Sequence, residues 1–238
     1  MKKHWVIPDI HGCSKTLQSL IDYQINPSKH DWLYFLGDYI DRGPDSKGVI
    51  DYIMSLQEKE YNIRLLKGNH EEYILKAYYA EPEKKGFLGF GKKNEVKKEW
   101  THFGGKECMN SFGVKNLRDI PEKYIHWLEN LELYIDLDQF LLVHAGLNFG
   151  KEDPFEDEHA MLWIREFLNE PERIGNKTII HGHVPINLEL LYHFRDHPEL
   201  KVIDLDNGVY MKDRSGFGNL LALELGSMDL AVQYNLDM

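Results

Sequence analysis

Cysteine is scarce in this chain: Cys13 and Cys108 are its whole supply in 238 residues. They form no CxxC pair and no evenly spaced ladder, which excludes a disulfide framework and a thiolate zinc site and suits a reducing, cytoplasmic setting. Long apolar runs are missing too, and no stretch approaches the ~20 uncharged apolar residues that a membrane span needs. The opening Met1-Lys2-Lys3-His4-Trp5-Val6-Ile7 starts like a secretion signal, but Pro8-Asp9 cuts its apolar run far short of one. Basic charge is in deficit. With 28 Lys and Arg against 39 Asp and Glu, the formal net charge is −11. A broad electrostatic grip on nucleic acid needs a basic footprint, so nucleic acid is excluded as a main partner and any anionic substrate must be drawn in by local charge.

What remains is a globular composition, 42% hydrophobic and 12% aromatic, on a length that suits one domain, 1–238. Its first third alternates short strand-like runs with polar clusters and helical patterns, the punctuation of βαβ units. Trp5-Val6-Ile7 leads into Asp9-Ile10-His11-Gly12, and Trp32 to Leu36 into Gly37-Asp38-Tyr39-Ile40-Asp41-Arg42-Gly43. Ile63 to Leu66 then leads into Gly68-Asn69-His70-Glu71. Helices are predicted over 14–22, 46–58 and 70–80, with Ser14 and Ser46 as N-caps. The pattern alone gives an α/β fold, and the carboxyl ends of its strands are where such folds bind ligands.

Residues 81–106 break the alternation with five glycines, seven lysines and the aromatics Phe87, Phe90, Trp100 and Phe103. They read as an exposed, basic, Gly-rich insertion near the active face, although a solvated loop and core packing of Trp100 explain them equally well. A helix over 121–130, a hairpin over 132–144, a helix over 159–169 and strands near 177–180, 201–205, 219–224 and 229–234 complete the reading. The hairpin ends on His144-Ala145-Gly146 and the next strand on His181-Gly182-His183.

Five strand ends thus deliver Asp9 and His11, Asp38 and Asp41, Asn69 and His70, His144, and His181 with His183. Singly each has a plain structural job, such as a turn aspartate or a core histidine with its hydrogen bonds satisfied. Jointly those jobs do not account for one residue chemistry recurring at successive strand ends. A mix of oxygen and nitrogen donors without thiolate suits Mn, Fe or Zn better than calcium.

The same segments match a family. From Pro8 to about Gly208 the chain resembles the calcineurin-like metallophosphoesterases, in particular the phosphoprotein phosphatase branch with its bacterial and phage members. That branch is marked by GDxHG, GDxxDRG, GNHE, a His before a small-residue turn and GHxP, which stand here as Pro8 to Gly12, Gly37 to Gly43, Gly68 to Glu71, His144 to Leu147 and Gly182 to Pro185. Pro8 and Ile164 depart from it, standing where the family commonly has Gly and Asn. The resemblance implies an αββα four-layer sandwich of two mixed sheets flanked by helices. It also implies two divalent metal ions, Mn foremost, the first held by Asp9, His11 and Asp38 and the second by Asp38, Asn69, His144 and His183. His70 would protonate the leaving group with Asp41 orienting it, and Arg42, Arg165 and Asn69 would hold the substrate phosphate. His181 stays outside the ligand set. The reaction implied is hydrolysis of phosphate esters. Asp41 and the Glu71 that ends GNHE favour a Ser/Thr or Tyr protein phosphatase over a dinucleoside polyphosphate hydrolase, where the residue at Asp41 is commonly Ala. The substrate is then a phosphorylated protein or a small phosphate compound. A non-catalytic metal-binding scaffold is the reading from another class, which a missing ligand or acid would signal.

Overall fold

The computed structural model describes residues 2–82 and 94–237. Its first part lays down β1 (His4–Ile7), α1 (Ser14–Ser19), β2 (Trp32–Phe35), α2 (Ser46–Glu58), β3 (Asn62–Leu65) and α3 (Asn69–Ala80). Three helices follow, α4 (Glu95–Trp100), α5 (Lys106–Phe112) and α6 (Glu122–Glu129). Then come β4 (Tyr134–Asp136), β5 (Phe140–Val143), α7 (Glu158–Trp163), β6 (Thr178–His181), α8 (Leu188–Asp196), β7 (Val202–Asp204), β8 (Asn219–Glu224) and β9 (Leu230–Tyr234).

The strands form two mixed sheets, one ordered β3-β2-β1-β8-β9 and the other β4-β5-β6-β7. β1, β2 and β3 run parallel, as do β5, β6 and β7, while β4, β8 and β9 pair antiparallel. Alternation of side chains along each strand divides the core into layers. Trp5, Ile7, Leu33 and Phe35 face a helical layer that includes Leu17 of α1, Ile50 and Ile53 of α2, and Ile125 of α6. On the opposite face Val6, Tyr34, Leu221 and Leu223 meet Leu142, Ile180 and Ile203 of the second sheet. That sheet's outer residues, Leu141, Val143 and Ile179, are covered by Met161 of α7 and by Ile174. The result is the αββα sandwich that the family resemblance implies.

Several sequence expectations change in detail. The helix predicted over 159–169 stops at Trp163, because Ile164 turns extended (ψ 136°) so that Ile164 and Phe167 can pack on the Cα of Gly146. Neither Ser14 nor Ser46 is a cap. Each lies one residue inside its helix; Asp45 caps α2 by accepting from the Gly48 N–H at 2.9 Å, and the Ser14 hydroxyl donates to Asp45. Of the expected insertion over 81–106, residues 94–106 are largely helical, with Trp100 buried in the core and Phe103 exposed beside the cleft. Phe87, Phe90 and four of the seven lysines lie outside the described residues; Lys97 and Lys98 pair with Glu81 and Glu95. α8 went unread because its exposed face breaks up the apolar spacing.

At the end of β2 the chain must turn within one residue, and Gly37 does so at φ +110°, where a Cβ would stand 2.6 Å from the Gly68 nitrogen. Gly37→Ala is expected to destabilise the protein by about 2–4 kcal/mol through backbone strain and this clash. Urea unfolding checks it, and a stability equal to the parent's would mean that the two loops can separate freely.

Candidate active site

Parallel strands bring the loops after β1, β2, β3, β5 and β6 to one edge. The backbone there takes a conformation that side-chain-bearing residues usually avoid: His11, Asp38, Asp41, Arg42 and His183 have φ of 45°, 50°, 70°, 62° and 75°. Such conformations persist only where the surroundings over-determine them. Here the fixing contacts are backbone hydrogen bonds between loops. The Asp38 carbonyl accepts from the N–H groups of Ile10 and His11 at 3.0 and 2.8 Å, and the Tyr39 carbonyl accepts from Gly12 at 2.9 Å.

Glu71, in the first turn of α3, joins the next loop to these two. Its Oε2 accepts from the N–H of Asp38 at 2.8 Å and of Gly68 at 2.9 Å, and its Oε1 from that of Tyr39 at 2.9 Å. Burial and then the neighbouring Asp38 raise its pKa to about 8, against the pull of the three donors. In the sequence Glu71 reads as the end of GNHE and as a mark of the phosphatase branch, and its work on the loop backbones shows only in the fold.

Asp9, His11, Asp38, Asn69, His70 and His144 are buried together, and His183 is partly buried at the same place. Asp38 sits between two donor groups. Its Oδ2 is 3.6 Å from His11 Nε2 and its Oδ1 is 3.6 Å from His144 Nε2. Two clusters could each hold a metal ion, His11 with Asp38 and His70, and Asp38 with His144 and His183. Asp9 reaches the first one only at 4.0 Å, from its Oδ2 to His11 Nε2.

The proton placement suits cations. His11 and His144 each present Nδ1 to a backbone carbonyl, of Ile40 and Leu36, both at 3.0 Å. A carbonyl only accepts, so Nδ1 carries the proton and each Nε2 turns a lone pair inward, the arrangement typical of a metal-ligating imidazole. His144 Nε2 then faces the Asn69 Oδ1 at 3.0 Å, acceptor against acceptor. A divalent ion resolves that conflict, so the donor set fits the group the family implies.

The electrostatics agree. Burial, then Asp206 and Asp38, raise the pKa of Asp9. Burial also works against Asp38, but His144, His70, His11 and His183 together hold its carboxyl below the ordinary range. Burial lowers His11 and His144, and it takes His183 down to about 3 with help from His144. Neutral His11, His144 and His183 beside an ionised Asp38 are what metal ligation requires.

His70 differs from the other histidines. Burial lowers its pKa, but Asp38 and a hydrogen bond to Asp41 raise it further, so its net shift is upward. The bond joins His70 Nδ1 to Asp41 Oδ2 at 2.6 Å, and that same oxygen accepts from Trp100 Nε1 at 2.7 Å. The role of Trp100 was missed, since nothing in sequence ties it to a residue 59 positions earlier.

Around these groups lies a cleft of about 580 Å³ lined also by Arg42, Arg165, Tyr73, Phe103, Trp163, Pro185 and Tyr210. Arg42 is held with its guanidinium 4.5 Å from the centre of the Tyr210 ring, and Arg165 is exposed on the irregular segment after α7. His181 turns aside, edge-on to Phe167 with Nδ1 on the Gly182 carbonyl at 3.1 Å, and belongs to neither donor group. Asp206 was also overlooked. It is buried beside Asp9, accepts from the Gly208 N–H at 2.7 Å and has burial raise its pKa to about 7.

A family model described as calcineurin-like phosphoesterase matches residues 2–211. The chain belongs to this family. Among curated members of related activity, a symmetrical bis(5'-nucleosyl)-tetraphosphatase from Wigglesworthia glossinidia brevipalpis is 40% identical over 146 residues, 60% of this chain and 44% of that protein. The corresponding protein of Buchnera aphidicola from Schizaphis graminum is 37% identical over 81 residues, 34% of this chain and 29% of its own length. The matched stretches therefore span less than half of these relatives. A protein serine/threonine phosphatase from Saccharomyces cerevisiae has the same fold, with a TM-score of 0.60 at 17% identity over 98% of this chain and 79% of that one.

Above a pH of about 8, where Glu71 is ionised, Glu71→Gln would set an amide N–H against one of its three backbone donors. Leaving a buried donor unpaired costs about 1–3 kcal/mol, and a loss of that size is expected in denaturant unfolding. Unchanged stability would mean that Glu71 is already protonated in the fold.

Proposed function

We propose that the chain is a metal-dependent hydrolase of dinucleoside polyphosphates that cuts the central anhydride bond of a tetraphosphate bridge. Chemistry of this class is supported above all by Asp38, whose two carboxylate oxygens face two separate donor groups. The choice of substrate is supported by the symmetrical tetraphosphatases among the relatives. Asp9, His11 and Asp38 would hold one divalent ion and Asp38, Asn69, His144 and His183 the other, with manganese the first choice. Bound by these residues, the ions would supply polarisation of the substrate phosphate and a lowered pKa for the attacking water.

The chain's own groups do the rest. Arg42 and Arg165 grip phosphate oxygens and stabilise charge that builds in the in-line transition state. Attack on phosphorus breaks the bridging P–O bond. Asp41 holds His70 Nδ1, so the proton on Nε2 is free for the departing oxygen. Trp100 keeps Asp41 in place.

The hydrogen-bonded pair of Asp41 and His70 favours a second reading, a phosphoprotein phosphatase. A nucleoside diphosphate leaves as a weak base and needs little protonation, whereas a seryl alkoxide is a strong base and needs an acid. Comparing kcat/KM on diadenosine tetraphosphate with that on a phosphoserine peptide decides the matter. The expected result favours the dinucleotide, and a preference for the peptide would transfer the assignment to the second reading.

Two further outcomes are expected. His70→Asn lowers kcat on phenyl phosphate, whose phenolate is basic enough to need a proton as it leaves, by about 10²–10⁴, the usual worth of a general acid; full activity on that ester would remove His70 from the mechanism. Manganese at a hundredfold its Kd raises stability by about 2.7 kcal/mol, seen as a higher melting temperature, and Asp38→Asn abolishes the rise. A rise that persists in this variant would rule out Asp38 as the shared ligand.

A further inference from the structure

Besides Tyr210, which packs against Arg42, three aromatic side chains line the cleft without a part in the hydrolysis just described: Tyr73 of α3, Phe103 of the turn between α4 and α5, and Trp163 at the end of α7. Tyr73 is their hub. Its ring centre lies 5.9 Å from that of Phe103 at an interplanar angle of 35°, and 5.7 Å from that of Trp163 at 82°. The wall is braced from behind. Trp163 Nε1 donates to Glu72 at 2.8 Å, and the Trp163 ring stacks on His159 at 6.1 Å.

Phe103 is the open end of the wall, with 46% of its surface exposed. One exposed Phe on a surface is ordinary. This one is fixed by its neighbour Gly104, whose backbone, at φ +107°, presses on the second loop so closely that a Cβ would stand 2.2 Å from the Arg42 nitrogen. The Phe103 ring is thereby keyed to the backbone of a phosphate-gripping arginine. The cleft thus offers cationic groups at its floor and flat apolar faces at its rim. A substrate that matches both has a phosphate and a flat ring.

We propose that Tyr73, Phe103 and Trp163 form a stacking subsite for a nucleobase of the substrate, with Phe103 supplying its exposed face. The inference deepens the dinucleoside polyphosphate reading and rests on it. Base-on-ring stacking adds affinity without reading sequence, because every base has a π-face. Aromatic faces at the rim therefore distinguish nucleotides from inorganic polyphosphates that the arginines alone would hold.

The test uses inhibition of p-nitrophenyl phosphate hydrolysis by the manganese-loaded protein, with ADP compared against pyrophosphate. ADP is the product of central cleavage of diadenosine tetraphosphate. It is expected to inhibit at about tenfold lower concentration than pyrophosphate, as one stacked base warrants. Phe103→Leu, which keeps bulk but loses the flat face, should close most of that gap and leave pyrophosphate inhibition unchanged. Phe103→Trp should restore it. No gap in the parent protein, a gap that survives Phe103→Leu, or loss of pyrophosphate inhibition in Phe103→Leu would each overturn the subsite. If the gap behaves as expected while diadenosine tetraphosphate is not cleaved, the subsite stands and the proposed substrate falls.

Discussion

The site depends on one buried carboxylate that is not expected to touch either metal or substrate. Glu71 gathers three backbone N–H groups from two loops, which satisfies donors that burial would otherwise leave unpaired. It thereby fixes Asp38 from behind. The Asp38 carbonyl in turn anchors the loop of Asp9 and His11, and the His70 N–H donates to Asp38 Oδ1 at 3.1 Å. Position passes from the first turn of α3 to all three N-terminal loops through the backbone of a single residue.

The remaining donors come from the other sheet, which explains why the sheets must pack face to face with fixed register. His144 follows β5 and His183 follows β6, yet both address Asp38 and Asn69 of the first sheet. The apolar contacts between Val6, Tyr34, Leu221 and Leu142, Ile180, Ile203 set the distance at which they meet. Burying a Leu or Ile side chain is worth about 1.5–3 kcal/mol, so this layer offsets the cost of crowding carboxylates and left-handed backbone at the edge.

Much of this was legible in the sequence. The strands after which Asp9, Asp38, Asn69, His144 and His183 stand are short apolar runs followed by polar residues, a pattern local enough to read directly. α2 and α3 were legible because their apolar faces keep helical spacing over three turns. What stayed hidden depends on contacts distant in sequence. The end of α7 is set by packing on Gly146, and Trp100 finds Asp41 only once α4 lies against α3. Asp206 looks like any turn aspartate until β7 brings it beside Asp9. The choice between a protein and a dinucleotide substrate was the least legible, since both draw on the same phosphate-handling residues. The sequence pattern at Asp41 pointed toward a protein phosphatase, while the named relatives support the dinucleotide.

The pairing of β1 carries a consequence for how the protein comes into being. Its parallel neighbour β2 is adjacent in sequence, but its other neighbour is β8, with Trp5 opposite Glu224 and Val6 opposite Leu223. The strand that carries Asp9 and His11 therefore stays a sheet edge during synthesis until residues 219–224 have left the ribosome. A nascent chain stalled before that point displays an unpaired strand edge to its neighbours.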